Sequence, residues 1–170
     1  RLQPDARSKA LANWIKNFLR SGKQWNHRRV VVFTEYEDTL SWLERILPGL
    51  IGGDCTDRIA RYTGRQSDTT REQLKAAFNS APASNPLRVL LCTDAAREGI
   101  NLQAHCADLF HFDLPWNPSR IEQRNGRIDR VLQPSPKVRC HYFVIPARPE
   151  DKVLTYVVRK LGVIREELGS

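Results

Sequence analysis

The chain has 170 residues, 41% of them hydrophobic and 27% charged, with a formal net charge of +8. That length supports one sizeable core, and no apolar run approaches the roughly 20 residues of a membrane helix, so a membrane partner is not expected. The positive balance suits a polyanionic partner, or equally a solvated basic surface, and charge alone does not choose between them.

The first helix is predicted within residues 1–22, where DARSKALANWIKNFLRSG puts Ala10, Leu11, Trp14, Ile15, Phe18 and Leu19 on one stripe. Gly22 is its expected C-cap. VVVF, from Val30 to Phe33, reads as a strand covered on both faces. EDTLSWLERIL is a helix ending at Pro48-Gly49, and RIARYTG is a second strand. SDTTREQLKAAF is a helix with Ser67 or Asp68 as N-cap and Leu74, Ala77 and Phe78 on its inner side. NSAPASNPLR is an exposed loop, followed by a third strand, VLLC, from Val89 to Cys92. DLFHFDLP and VRCHYFVIP supply two further strands, and residues 149–168 form a trailing helix weakened at Gly162. Strand and helix patterns alternate, so the expected fold class is α/β: a single domain with a mainly parallel sheet between helices.

The four cysteines, Cys55, Cys92, Cys106 and Cys140, form no CxxC pair, and the four histidines form no HxxxH pair. Neither a disulfide framework nor a metal site is expected. A reducing, cytoplasmic compartment is the default. No methionine occurs anywhere, so the sequence reads as a piece of a longer protein.

In open parallel sheets, ligands collect at the loops beyond the carboxyl ends of the strands. One of those loops runs into QRNGRIDR, which carries Arg124, Arg127 and Arg130 within seven residues. If this stretch is helical, Arg127 and Arg130 share a face with Gln123. Two guanidinium forks can grip a polyphosphate, and Gln123 suits positioning of a water beside it. Gly126 permits close approach of backbone or phosphate. The alternative is a solvated basic helix with Glu122 and Asp129 as intrahelical partners. Upstream, TDAAREGINLQ places Thr93 and Asp94 at the end of the third strand. A hydroxyl and free amides there suit a nucleic-acid phosphate, and a helix N-cap is the compatible structural reading. Asn101 is a candidate partner for a ribose hydroxyl.

TDAAREGINLQ followed by QRNGRIDR resembles motifs V and VI of superfamily-2 helicases and translocases. VVFTEYED resembles their motif IV, and RYTGRQSDTTREQLKAAF the segment between. GINLQ and the WNP of LPWNPSRIEQR look most like the bacterial Swi/Snf-type branch. The likeness spans about Val30 to Ile145, within a 30–146 core. It implies the second, C-terminal RecA-like lobe of a two-lobe motor. Arg127 and Arg130 then match arginine fingers that reach ATP held mainly on a first lobe, with Gln123 near its γ-phosphate. Gly99 and Asn101 match positions lining the nucleotide side. Thr93, Thr34 and Gly64 match positions on the nucleic-acid track. Arg124 matches less clearly and could instead pair with an acid. Arg97-Glu98 before Gly99, and Gly126 before Arg127, depart from the usual Swi/Snf pattern.

The sequence has no GxxxxGK[ST] loop and no strand-borne DE-x-[HD], the parts that hold nucleotide and metal in such motors. The expectation is therefore a lobe inactive alone, working with ATP, Mg²⁺, an N-terminal lobe and duplex DNA. An RNA helicase lobe and a non-catalytic nucleic-acid-binding module are the alternatives. A dinucleotide-binding enzyme is disfavoured, since no GxGxxG follows a strand. Trp116 is expected as a buried anchor of its loop, with a surface contact as the alternative.

Overall fold

Val30, Val31, Val32 and Phe33 are all buried, although neighbours along a strand point to opposite faces. Both faces of this sheet are therefore covered. In the computed structural model, which describes residues 3–94, 100–145, 147–149, 151–153, 155–156 and 158–159, the chain runs α1 (Ala6–Phe18), β1 (Arg20–Ser21), β2 (Gln24–Trp25), β3 (Val30–Thr34), α2 (Glu37–Ile51) and β4 (Ile59–Tyr62). It continues with α3 (Asp68–Asn79), β5 (Val89–Thr93), β6 (Asp108–His111), α4 (Pro118–Asn125) and β7 (Arg139–Tyr142). The described residues between 149 and 159 include helical ones; the remainder of the expected 149–168 helix lies outside the described residues.

Five strands form one parallel sheet in the order β4-β5-β3-β6-β7. One face packs Val30, Val32, Val89, Leu91 and Phe110 against Leu11 and Ile15 of α1 and Leu40, Leu43 and Leu47 of α2. The other packs Val31, Phe33, Leu90, Cys92 and Leu109 against Phe78 of α3 and Ile128. Each fully buried side chain of this kind contributes about 1.5–3 kcal/mol. The alternation of strands and helices thus became the expected α/β layers.

Two helix ends differ from expectation. α1 stops at Phe18, with Leu19 as its C-cap, because β1 and β2 pair as a short hairpin. Gly22, at φ +63, occupies the hairpin turn instead of a helix cap, as a two-residue turn with glycine first requires. α2 runs through Pro48 to Ile51 and ends at Gly52, whose φ is +71. Leu47 and Ile51 are 0% and 3% exposed, and their burial outweighs the cost of a proline in the last turn.

The strand order turns at β3, with β4 and β5 on one side and β6 and β7 on the other. Thr34 and Thr93 close the last rung of the β3–β5 ladder side by side. The carboxyl ends of β5, β3 and β6 border the crevice where function gathers in such sheets.

Candidate functional site

α4 delivers the arginines to that crevice. Its start is set by Asn117, whose side-chain oxygen accepts from the Ser119 amide at 3.0 Å, with Pro118 in the first turn. Ile121 and Arg124 are its buried positions. α4 stops at Asn125, so Arg127 and Arg130 lie in the turns that follow rather than on a continuous helix. Those turns are held by Arg127 N–H donating to the Arg124 carbonyl at 3.0 Å and Asp129 N–H to Asn125 at 3.0 Å.

The three arginines have separate fates. Arg124 is 2% exposed and bonds through its whole fork. Nε and Nη2 donate to the two Asp94 oxygens at 2.7 Å each. Nη2 also reaches Asp113 Oδ1 at 3.4 Å. Nη1 donates to the Asp113 carbonyl at 2.7 Å and to His111 Nδ1 at 3.3 Å. All five guanidinium donors are thereby used. The acid that Arg124 could pair with is real, and there are two.

The bonds continue outward from Arg124. His111 is fully buried, and its Nε2 lies 2.8 Å from Asn125 Oδ1. With Arg124 donating to Nδ1, the ring is the neutral Nε2–H tautomer. Burial, with the Arg124 charge adding to it, holds the His111 pKa down to about 3. Asp113 accepts from the Thr34 hydroxyl and, at 2.9 Å, from the Glu35 amide. Arg120 and Glu35 form a further ion pair at 2.9 Å between α4 and the end of β3.

Arg127 is half-buried. Burial lowers its pKa first, and the Arg130 charge lowers it further. Asp94 acts in the opposite direction, but that carboxylate is already held by Arg124. Arg130 is exposed, its Nε donating to the Gly126 carbonyl at 2.7 Å. The result is a pair of neighbouring cations beside Asp94, a carboxylate that Arg124 already holds.

Gln123 and Asn101 are both exposed. The Asn101 carbonyl accepts from Asn79 Nδ2 at 2.6 Å, and Leu102 N–H donates to the Arg127 carbonyl at 2.9 Å, tying the segment after β5 to the arginine turn. Gly64 is exposed in the turn after β4. Thr93 is 1% exposed, and its hydroxyl has no hydrogen-bond partner among the described residues. Thr34 is also 1% exposed, and its hydroxyl is committed to Asp113. Gly99 lies outside the described residues. A Cβ on Gly126 would meet the Glu122 carbonyl at 3.3 Å, a tight contact within α4's own last turn.

Trp116 corrects an expectation. It is 80% exposed, at the wall of an apolar cavity of about 220 Å³ shared with Phe112, Leu114, Ile121 and Phe143. Ile121, lining the same cavity, is 1% exposed. Sequence reading missed His111 and Asp113. Their signal was two polar residues, two apart, interrupting the apolar run DLFHFDLP on one strand face.

Among the described residues no three His, Cys, Asp or Glu side chains converge to hold a metal, and no helix is long and apolar enough to cross a membrane.

A five-stranded parallel sheet covered on both faces, with arginines brought to its carboxyl edge after the fourth of those strands, defines a RecA-like lobe. The helicase conserved C-terminal domain model matches residues 10–131, and the chain belongs to that family. It is 30% identical over 142 residues to the uncharacterized ATP-dependent helicase YqhH of Bacillus subtilis (strain 168), covering 84% of this chain and 23% of that protein. It is 32% identical over 120 residues to the RNA polymerase-associated protein RapA of Serratia proteamaculans (strain 568), covering 71% of this chain and 11% of the relative. The crystal structure of the C-terminal part of the Fun30 ATPase domain superposes with a TM-score of 0.73 at 21% identity, over 91% of this chain and 46% of that one. The chain thus spans a quarter or less of these curated relatives.

Proposed function

We propose that this chain is the second motor lobe of an ATP-dependent nucleic-acid translocase. Arg127 and Arg130 serve as arginine fingers toward ATP held mainly, with its Mg²⁺, on a first lobe. The observation that carries this reading is the cation pair itself. Arg124 holds Asp94 and Asp113, and Arg127 and Arg130 stand beside each other, half-buried and exposed. Two guanidinium forks in that state fit the oxygens of a polyphosphate. ATP supplies the phosphoryl bond that is broken. The residues of this chain orient and neutralise: Arg127 and Arg130 at the phosphates, exposed Gln123 beside them, and Asn101 and Gly99 along the nucleotide side.

The nucleic-acid track on this lobe is assigned to Thr93 and Gly64. Thr34 contributes by holding Asp113, since its own hydroxyl is occupied. Exposed Trp116 and Tyr36, at 80% and 60%, offer aromatic surface at the same edge. The partner is duplex DNA, and the setting is the bacterial cytoplasm, in association with the nucleoid. Without phosphate-loop and DE-x-[HD] sequences, the lobe alone does not turn over ATP.

The test is ATPase activity of the full-length protein with and without duplex DNA. Arg127→Ala is expected to cut stimulated turnover about a thousandfold while salt-dependent DNA binding persists. Near-normal stimulated turnover in that variant would refute the finger assignment. Stimulation by RNA in place of duplex DNA would select the RNA-helicase reading, and DNA binding with no turnover the binding-module reading.

A further inference from the structure

Immediately after Arg130 the chain does something costly. Gln133 N–H donates to the Arg130 carbonyl at 3.1 Å, closing a four-residue turn through Val131 and Leu132. Leu132 sits at its third position with φ +75, a left-handed conformation that turns normally give to glycine. Gln133 locks the turn from inside. Its Nε2 donates to the Ile128 and Cys106 carbonyls at 2.6 and 3.0 Å, and its Oε1 accepts from the Ser135 amide at 3.1 Å. The tip of this locked turn carries two apolar side chains in water, Val131 at 88% and Leu132 at 89% exposure. Among the described residues nothing packs on that leucine to require it, and a strained residue held by a rigid surround points to a role outside the fold.

We infer that Val131 and Leu132 form an apolar latch that docks on the first lobe when the two lobes close, setting the depth at which Arg127 and Arg130 enter the nucleotide cleft. The inference rests on the two-lobe reading above. Its occupant follows from continuity. The latch is next in sequence to Arg130, whose guanidinium that reading sends to the first lobe, and the surface it meets must be on the same body. The relatives named above leave most of their length outside the matched region, so the docking surface belongs to that remainder. Nucleic acid is the poorer occupant, because two side chains without a donor give a phosphate nothing to bind. Val131 and Leu132 are positioning residues, acting through Arg130.

The test separates stability from closure by their signs. Leu132→Gly removes the left-handed strain, so the melting temperature of the 170-residue chain is expected to rise, by about 2–4 °C. In the full-length protein, Val131→Ser/Leu132→Gly is expected to lower nucleic-acid-stimulated kcat/KM for ATP at least about tenfold, since the apolar area buried on closure is gone. Leu132→Met should restore most of that loss. Unchanged stimulated kcat/KM in the double variant, together with the rise in melting temperature, would overturn the latch. So would a fall in nucleic-acid affinity of the 170-residue chain, or loss of a concentration-dependent dimer, on Leu132→Gly. Absence of stimulated turnover in the unmodified full-length protein would instead remove the two-lobe reading, and the latch with it.

Discussion

Arg124 and Arg127 stand three residues apart and obey opposite rules. Arg124 is 2% exposed with every guanidinium proton donated to a described partner. Arg127 is half-buried, with its pKa lowered by burial and by Arg130. The first arrangement is what a folded protein does to a cation it needs for structure: surround it with acceptors and close the space. The second leaves a guanidinium partly open to solvent beside another cation. The helix end lies between them. Arg124 is on the inward face of α4, and Arg127 follows the point where α4 stops.

The sharpest way to break this contrast is to exchange the consequences. Arg124→Ala should destabilise the lobe by about 3–5 kcal/mol, since Asp94 and Asp113 are left without their counter-charge in a closed site. Arg127→Ala should leave stability almost unchanged and remove turnover. A denaturant midpoint for each variant decides, and equal midpoints would erase the distinction.

A gentler probe uses pH. His111 has a folded pKa of about 3, below the ordinary 6.5. The unfolded chain therefore takes up a proton as pH falls through 6.5, and the folded chain does not until about pH 3. Stability is fully present above pH 6.5 and is lost below it, at up to about 1.4 kcal/mol per pH unit. Denaturation at pH 6.5, 5.5 and 4.5 should show this slope, and His111→Gln should flatten it. A flat profile in the unsubstituted chain would mean the ring is not locked between Arg124 and Asn125.

The smallest effect tests how α4 is positioned for both arginines. Asn117→Ala removes the cap on the Ser119 amide and should cost about 1 kcal/mol. A shift well beyond that in the melting curve would mean Asn117 does more than start the helix.

The layers were legible because continuous apolar runs and helical stripes are local. VVVF and VLLC became neighbouring strands of the sheet, in register from Val30↔Val89 to Thr34↔Thr93. The helix ends at Phe18 and Ile51 were less legible, since a hairpin and the burial of Leu47 and Ile51 decided them against the nearby glycine and proline. Trp116 was misjudged for the same reason. Whether a large ring is buried depends on the tertiary neighbours around it, which its local sequence does not show.

The sequence by itself determined that a parallel sheet would be covered on both faces and that three arginines would reach one of its loops. These follow from spacing along a few turns of chain. Only the tertiary structure decided which arginine was to be structural. Arg124 meets Asp94 and Asp113 from 30 and 11 residues away, and Asp113 meets Thr34 across 79. Those partners come together because β5, β3 and β6 end side by side. Charge pairing depends on distance in space, and strand order alone converts those separations into hydrogen bonds.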